Sequence, residues 1–342
     1  PVWLKKLLQK EYRIIPAFRE KETLALLDQG LEDVSFSRPT SSLSWGIPVP
    51  GDEGQTMYVW CDALTNYISG LGYFTDHEEK EYWEKATVTH VIGKDIARFH
   101  ALIWPAMLKA AGVRIPDQLL IHGFLTSEGQ KMSKSTGNVV VPDDVLTKFG
   151  GNPDPLRFYL SHEVPVGNDG DFSWKRIEEL YDSKLRNQLG NLLNRVLILL
   201  QKEGGDIVLP KDHAKDSLQC KDGWERYATS MDRMEMHLGI QQAFELIQAL
   251  NGGIDTAKPW TLKGTEKVEL LGRFAESLRH AALLLLPFLP ETAKKMSMQL
   301  GVPYAERMLE KDFVITEEFR EFGGMKDWKK IGIPEILFPP LA

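Results

Sequence analysis

Between Thr87 and Gly123 the chain reads strand, turn, helix, turn, strand, and that order leaves few folds open. Thr87–Ile92 is rich in β-branched residues. Gly93-Lys94-Asp95 is a tight turn, which predicts Asp95 as the cap of the next helix. Ile96, Phe99, His100, Ile103, Trp104, Met107 and Leu108 trace one helical face. Gly112 stops that helix, and Pro105 inside the pattern predicts a kink. Leu119–Ile121 is the second strand. Such a crossover is right-handed and makes a parallel sheet, whose ligands bind at the carboxyl ends of the strands. The turns Gly93–Asp95 and His122–Gly123 lie at those ends.

The rest of the chain divides around this unit. Residues 1–33 read as two short helices, from Trp3, Leu4, Leu7, Leu8 and then Leu24, Leu26, Leu27, Leu31. Val34, Phe36 and Tyr58-Val59-Trp60 suggest strands on either side of the turn-rich Pro48–Gly54. From Ile177 onward nearly everything is helical. Leu185, Leu189, Leu192, Leu193, Val196, Leu199 and Leu200 form one apolar stripe. Ile240, Ala243, Phe244, Ile247 form a second, and Val268, Leu271, Phe274, Leu278, Ala281, Leu285 a third. The expectation is a Rossmann-type α/β parallel-sheet portion followed by an all-α antiparallel bundle, with the change of class near residue 175.

Composition excludes several classes. The longest apolar run, Ala281–Leu286, is closed by Pro287 and is far too short to span a bilayer. With charges at Lys5, Lys6, Lys10, Glu11 and Arg13, residues 1–15 do not have the pattern expected of a signal peptide. Two cysteines, Cys61 and Cys220, supply neither a disulfide framework nor a zinc site. A reducing compartment fits, the cytoplasm or an organelle matrix. A formal charge of −7 argues against non-specific nucleic-acid binding but leaves a local RNA-binding face open. The chain begins at Pro1 in mid-pattern, which is read as a fragment or processed product.

Lys131-Met132-Ser133-Lys134-Ser135 is the sharpest string. It follows Gly129-Gln130 and precedes Thr136-Gly137-Asn138, on a loop after a strand. Two lysines three apart, with hydroxyls between and after them, make a flexible polyphosphate clamp. Charge that builds up in nucleotidyl transfer needs cations aimed at it, and a closing loop supplies them when substrate is bound. Trp60, Ala63, Leu64 and Tyr67 share one face of a helical turn and suit a flexible thioether. Asn191 and Arg195, four apart, point away from the leucine stripe, and Trp260 follows Pro259. An amide, a guanidinium and an indole can contact or stack on unpaired bases; a solvated helix face with a buried indole is the plain alternative.

These strings together resemble the methionyl-tRNA synthetases among the class I aminoacyl-tRNA synthetases. The resemblance rests on the KMSKS string, Tyr58–Leu64, Ile92–Ile96, Phe99-His100, Leu189–Arg195 and Lys258-Pro259-Trp260, and runs from about Val34 to Leu337-Phe338-Pro339. It implies that Trp60, Ala63, Leu64, Tyr67, Ile96 and His100 line a methionine pocket. It implies that Gly93, Asp95, His122, Gly123, Leu125 and Lys134 contact ATP or the adenylate, and that Asn191, Arg195 and Trp260 read the anticodon. That family often has phenylalanine or leucine where Cys61 stands, and proline at the position of Leu64 in bacterial members. The implied domains are 1–33, the end of a connective insertion; 34–127, the second half of the catalytic domain; 128–175, the KMSKS loop and stem-contact linker; and 176–342, the anticodon-binding helices. Arg38 and Asn152–Trp174, with Asp154, Leu156, Arg157 and Asp171, fall in the bracing linker.

The implied reaction is ATP-dependent formation of methionyl-adenylate, then transfer to tRNA(Met). Lys131 and Lys134 would neutralise the leaving pyrophosphate, and Mg2+ would arrive with the ATP. The partners are tRNA(Met), ATP and L-methionine, and a separate amino-terminal segment of the same enzyme. Class I synthetases also carry an H-x-G-H string, and none of the eight histidines here makes it. The chain by itself is therefore expected to be inactive. Two rivals stay open: a non-catalytic tRNA-binding module, and a class I synthetase for another amino acid.

Overall fold

The computed structural model describes residues 2–77 and 79–341, with only the backbone of Leu218. It divides into two compact units, between Phe124 and Leu125.

The first unit holds a three-stranded parallel sheet, formed by β1 (Arg13–Ile15), β5 (Thr89–Gly93) and β6 (Gln118–His122) in the order β1-β6-β5. The strand-helix-strand reading of residues 87–123 is therefore correct in kind. Between β5 and β6 the helix opens as a 3-10 turn, Lys94–Ile96, runs through a π segment, Phe99–Ile103, and continues as Trp104–Ala111. Pro105 falls at the first turn of that last piece, where its missing N–H is tolerated. Gly112 ends it at φ +70°, a conformation that only glycine adopts without strain. Leu119 and Ile121 pack with Leu4, Leu7, Leu8, Tyr12 and Ile92; Leu64, Ile68, Trp83, Trp104 and Leu108 make a separate core cluster.

Three readings need correction. Residues 1–33 are not helix alone: β1 lies between helices Val2–Lys10 and Ala17–Gln29 and joins the parallel sheet through β6. Tyr58-Val59-Trp60 is not a strand. The strands there are β2 (Ser37–Pro39), β3 (Pro48–Val49) and β4 (Asp52–Met57), an antiparallel sheet, and Val59 already begins helix Val59–Ser69. Arg38 lies in β2 rather than a linker; its guanidinium covers the Tyr58 ring at 4.0 Å and bonds the Ser35 and Ser37 carbonyls.

The second unit opens with hairpin β7 (Leu125–Ser127) and β8 (Gln130–Lys131), turned through Glu128 and Gly129 at positive φ; β9 (Gly170–Phe172) pairs with β7 in parallel. Its long helices are Asn191–Lys202, Ala214–Asp232, Met236–Ala257 and Gly264–Leu285. The three predicted stripes are buried against one another in a single core, except that Leu199 and Val268 are half-buried. A π segment, Tyr181–Gly190, leads directly into helix Asn191–Lys202. Asp154 caps the helix Pro290–Gln299 by accepting from Thr292 N at 2.7 Å, and Arg157 donates to the Pro287 and Phe288 carbonyls, which fastens helix Asp154–Glu163 to the bundle. Among the described residues no helix is long and apolar enough to cross a membrane.

Candidate functional site

Helix Val59–Ser69 and the Phe99–Ile103 segment bring several of the predicted pocket residues into contact in two neighbouring pairs. Tyr67 Oη lies 2.9 Å from His100 Nε2, and His100 Nδ1 lies 3.0 Å from the Ile96 carbonyl. Trp60 stacks on Phe99 with ring centroids 4.3 Å apart. The π segment places Phe99 and the buried His100 on successive positions, so the two pairs adjoin. Ala63 is exposed one turn before Tyr67. Leu64 is 1% exposed and packs with Ile68, Trp83 and Trp104, so it backs the wall from the core. Burial lowers the pKa of His100, and the Ile96 carbonyl partly opposes that shift. Sequence reasoning missed Tyr12, whose hydroxyl donates to the His100 carbonyl at 3.1 Å, and His90, whose ring is 4.2 Å from that of Tyr67. The signal for His90 was only a histidine in a β-branched strand.

Gly93 and His122 face each other in register across β5 and β6, at the carboxyl ends that favour ligands. A Cβ on Gly93 would stand 2.7 Å from Asp95 Oδ1 and 3.8 Å from His122 Cε1. The three residues therefore adjoin at the strand ends, with Asp95 and His122 exposed and Gly93 half-buried. Asp95 is not a helix cap: it lies inside the 3-10 turn, and its carboxylate turns back over Gly93. His122 Nδ1 is paired with the Gly123 carbonyl at 2.8 Å, which leaves Nε2 to face outward. Leu125 belongs to the second unit and packs half-buried against its apolar core.

In the second unit Lys131, Lys134 and Ser135 are exposed, while Met132 packs against the core. Ser133 Oγ and Ser135 Oγ are 2.6 Å apart. Asn138 fastens the loop: its Oδ1 accepts from Ser133 N (2.9 Å) and Thr136 Oγ1 (2.6 Å), and its Nδ2 donates to the Lys131 carbonyl (3.1 Å). The sequence reading gave Asn138 no role. Asp171 Oδ1 steadies the hairpin beneath, accepting from Thr126 Oγ1 and Gly129 N.

Asn191, Arg195 and Trp260 gather on the bundle. Asn191 is exposed, Arg195 lies one turn along the same face, and its guanidinium is 5.9 Å from the Trp260 ring centroid. Trp260 is 50% exposed, which excludes a buried core indole. Arg195 also pairs with Asp255 at 2.8 Å. A cavity of about 420 Å3 elsewhere in the bundle, among Cys220, Trp224, His280 and Phe322, is rimmed by Asp216, Asp222, Glu245 and Arg226, the last paired with Glu245. No group of ligating side chains suited to a metal ion occurs among the described residues.

The parallel sheet with its helices, and the helical region that follows in the chain, are those of the class I synthetase fold, and residues 2–197 match the family model described as tRNA synthetases class I (M). The chain belongs to the methionyl-tRNA synthetase family. It is 39% identical to a Fusobacterium nucleatum methionine–tRNA ligase, over 95% of this chain and 52% of that protein. It is 37% identical to that of Synechocystis, over 97% of this chain and 63% of the relative. A solved Mycobacterium tuberculosis methionyl-tRNA synthetase in complex with methionyl-adenylate superposes with a TM-score of 0.81 at 33% identity, covering 99% of this chain and 67% of that one. The chain spans about half the length of the first of these relatives.

Proposed function

We propose that this chain is part of a methionine–tRNA ligase, which activates methionine with ATP and transfers it to tRNA(Met). The observation that carries the reading is the Tyr67–His100 pair beside the Trp60–Phe99 stack, on the same crossover that sets Gly93, Asp95 and His122 at the strand ends. A thioether packs well on aromatic faces, and this wall offers two of them. Asp95 would accept from ribose hydroxyls, Gly93 would admit backbone close to the nucleotide, and His122 and Gly123 would flank the adenine and ribose. Residues 1–124 then serve the amino acid and nucleotide, residues 125–175 carry the loop and its brace, and the remaining helices carry the anticodon.

The chemistry needs no protein nucleophile. The methionine carboxylate attacks the α-phosphate and pyrophosphate leaves; the terminal ribose hydroxyl of tRNA then attacks the adenylate carbonyl and takes the acyl group as AMP leaves. Positioning and charge stabilisation supply the rate, with Lys131 and Lys134 directed at the pyrophosphate. Mg2+ enters with ATP. Asn191, Arg195 and Trp260 offer an amide, a guanidinium and a stacking face to the anticodon, on whichever membrane-free compartment translates. The KMSKS loop and the aromatic wall have no use in a pure tRNA-binding module, which favours the enzyme.

The test is methionine-dependent ATP–pyrophosphate exchange by residues 1–342, alone and with the amino-terminal half of a relative added in trans. Exchange is expected only in the mixture, because the lysines meet the phosphates from one side. Robust exchange by the chain alone would refute this account of the ATP site, and exchange driven by another amino acid would refute the choice of methionine.

A further inference from the structure

His90 is a polar ring on β5 with only 5% of its surface exposed. Four aromatic rings surround it: Tyr67 at 4.2 Å and 62°, His100 at 5.7 Å, Trp83 at 5.9 Å, and Trp104, whose Nε1 donates to His90 Nε2 at 3.2 Å. An indole N–H can only donate, so His90 Nε2 is the unprotonated nitrogen and the neutral ring carries its proton on Nδ1. Burial, with the neighbouring His100, pushes the pKa of His90 down to about 4, so the ring keeps this form across the neutral range. Its rotation about the χ2 bond is fixed by the Trp104 bond.

Tyr67 is 37% exposed, and its ring contacts come from elements outside its own helix. Its ring meets His90 edge to face, His100 edge to face at 5.6 Å, and Trp104 at 6.1 Å. The His90 contact is the shortest of the three. From that seat the Tyr67 hydroxyl reaches His100 Nε2.

We propose that His90 is a positioning residue: locked by the Trp104 indole, its ring holds Tyr67 at the angle from which the hydroxyl bonds His100, and so sets the wall of the amino-acid pocket. The last clause rests on the reading of Tyr67 and His100 as that wall. A histidine that merely satisfies Trp104 would be replaced without loss by any acceptor of similar reach.

Two variants separate these roles. His90→Gln keeps an acceptor for Trp104 and removes the ring; His90→Phe keeps the ring and removes the acceptor. The reporter is the His100 Nε2 resonance in 15N-histidine-labelled protein, assigned by its loss in His100→Asn. In His90→Gln it should move to the position seen in Tyr67→Phe, where the hydroxyl is gone, while the melting temperature stays within about 4 °C of the native value. In His90→Phe it should move less. With the amino-terminal half present, methionine dialysis should show His90→Gln binding about tenfold more weakly than native protein. An unmoved His100 resonance in His90→Gln would overturn the proposal. A moved resonance in a protein whose native form binds no methionine would uphold the support of Tyr67 and overturn its link to the pocket.

Discussion

Tyr67 donates its proton to His100, and the backbone decides that direction. The Ile96 carbonyl at 3.0 Å can only accept, so His100 Nδ1 carries the ring proton and Nε2, 2.9 Å from Tyr67 Oη, accepts. The Tyr67 oxygen therefore turns lone pairs, not a proton, toward solvent. A second proton on His100 would set two donors against each other and charge a buried ring.

If Tyr67 and His100 form the wall of the amino-acid pocket as proposed, methionine binding is expected to be sensitive to acid. Burial holds the pKa of His100 below its ordinary 6.5. The neutral form is thus favoured in the folded state, and its contribution is present above that ordinary value and lost as pH falls through the lowered one. Methionine affinity, followed by dialysis from pH 8 to pH 4 with the amino-terminal half present, should fall on the acid side. An affinity already lost above pH 6.5 would contradict the role given to this pair.

Tyr67→Phe leaves His100 Nε2 buried without its partner. A buried group so stranded costs about 1–3 kcal/mol, so urea denaturation should show a destabilisation of that order. Methionine should bind more weakly as well.

On the bundle, Trp260→Ala removes an exposed ring rather than core. Loss of one stacking platform weakens binding by about 1–3 kcal/mol, to be read by filter binding of tRNA(Met). The helical melting transition should stay in place, and its collapse would return Trp260 to a packing role.

Lys134→Ala should lower the turnover of pyrophosphate exchange by about 100-fold or more while leaving methionine affinity unchanged, the pattern of a group that acts on developing charge. An equal loss in methionine affinity would place Lys134 in substrate binding instead.

The bundle also carries a buried ion pair. Arg279 and Glu276 are both wholly buried and joined by two hydrogen bonds of 2.7 and 2.8 Å. Burial alone would raise Glu276, but the hydrogen bonds and charges of Arg279 and His280 outweigh it and hold the carboxyl at about 2. A depressed carboxyl stabilises the fold above its unfolded value near 4.5, and that stability is lost as pH falls from there toward 2. Arg279→Leu should cost about 3–5 kcal/mol at pH 7, because it leaves a buried charge alone. Urea unfolding at pH 7 and at pH 3 checks both statements.

Periodicity carried most of the fold. The three helical stripes and the crossover at 87–123 were legible because burial repeats with the helix or strand period. β1 was not legible: Arg13–Ile15 is three residues long, and its partners, Gln118–Leu120, lie about a hundred positions away. Tyr58-Val59-Trp60 has strand chemistry, yet helix packing of Leu64 and Ile68 overrides it. Motifs pointed to Tyr67, His100 and the KMSKS loop. What holds them in place, His90 behind Tyr67 and the Asn138 amide across the loop, leaves no pattern in sequence, because each depends on contacts that only folding creates.

The π segment Tyr181–Gly190 acts as a phase setter for the face that follows it. Each α-helical residue turns the chain by about 100°, and each residue of a π turn by somewhat less. Deleting a single residue within 181–190 would swing Asn191 and Arg195 by an angle of that order and bring the flank of Leu192 and Val196 outward. The segment can exchange side chains, but its length is fixed by what lies one turn beyond it.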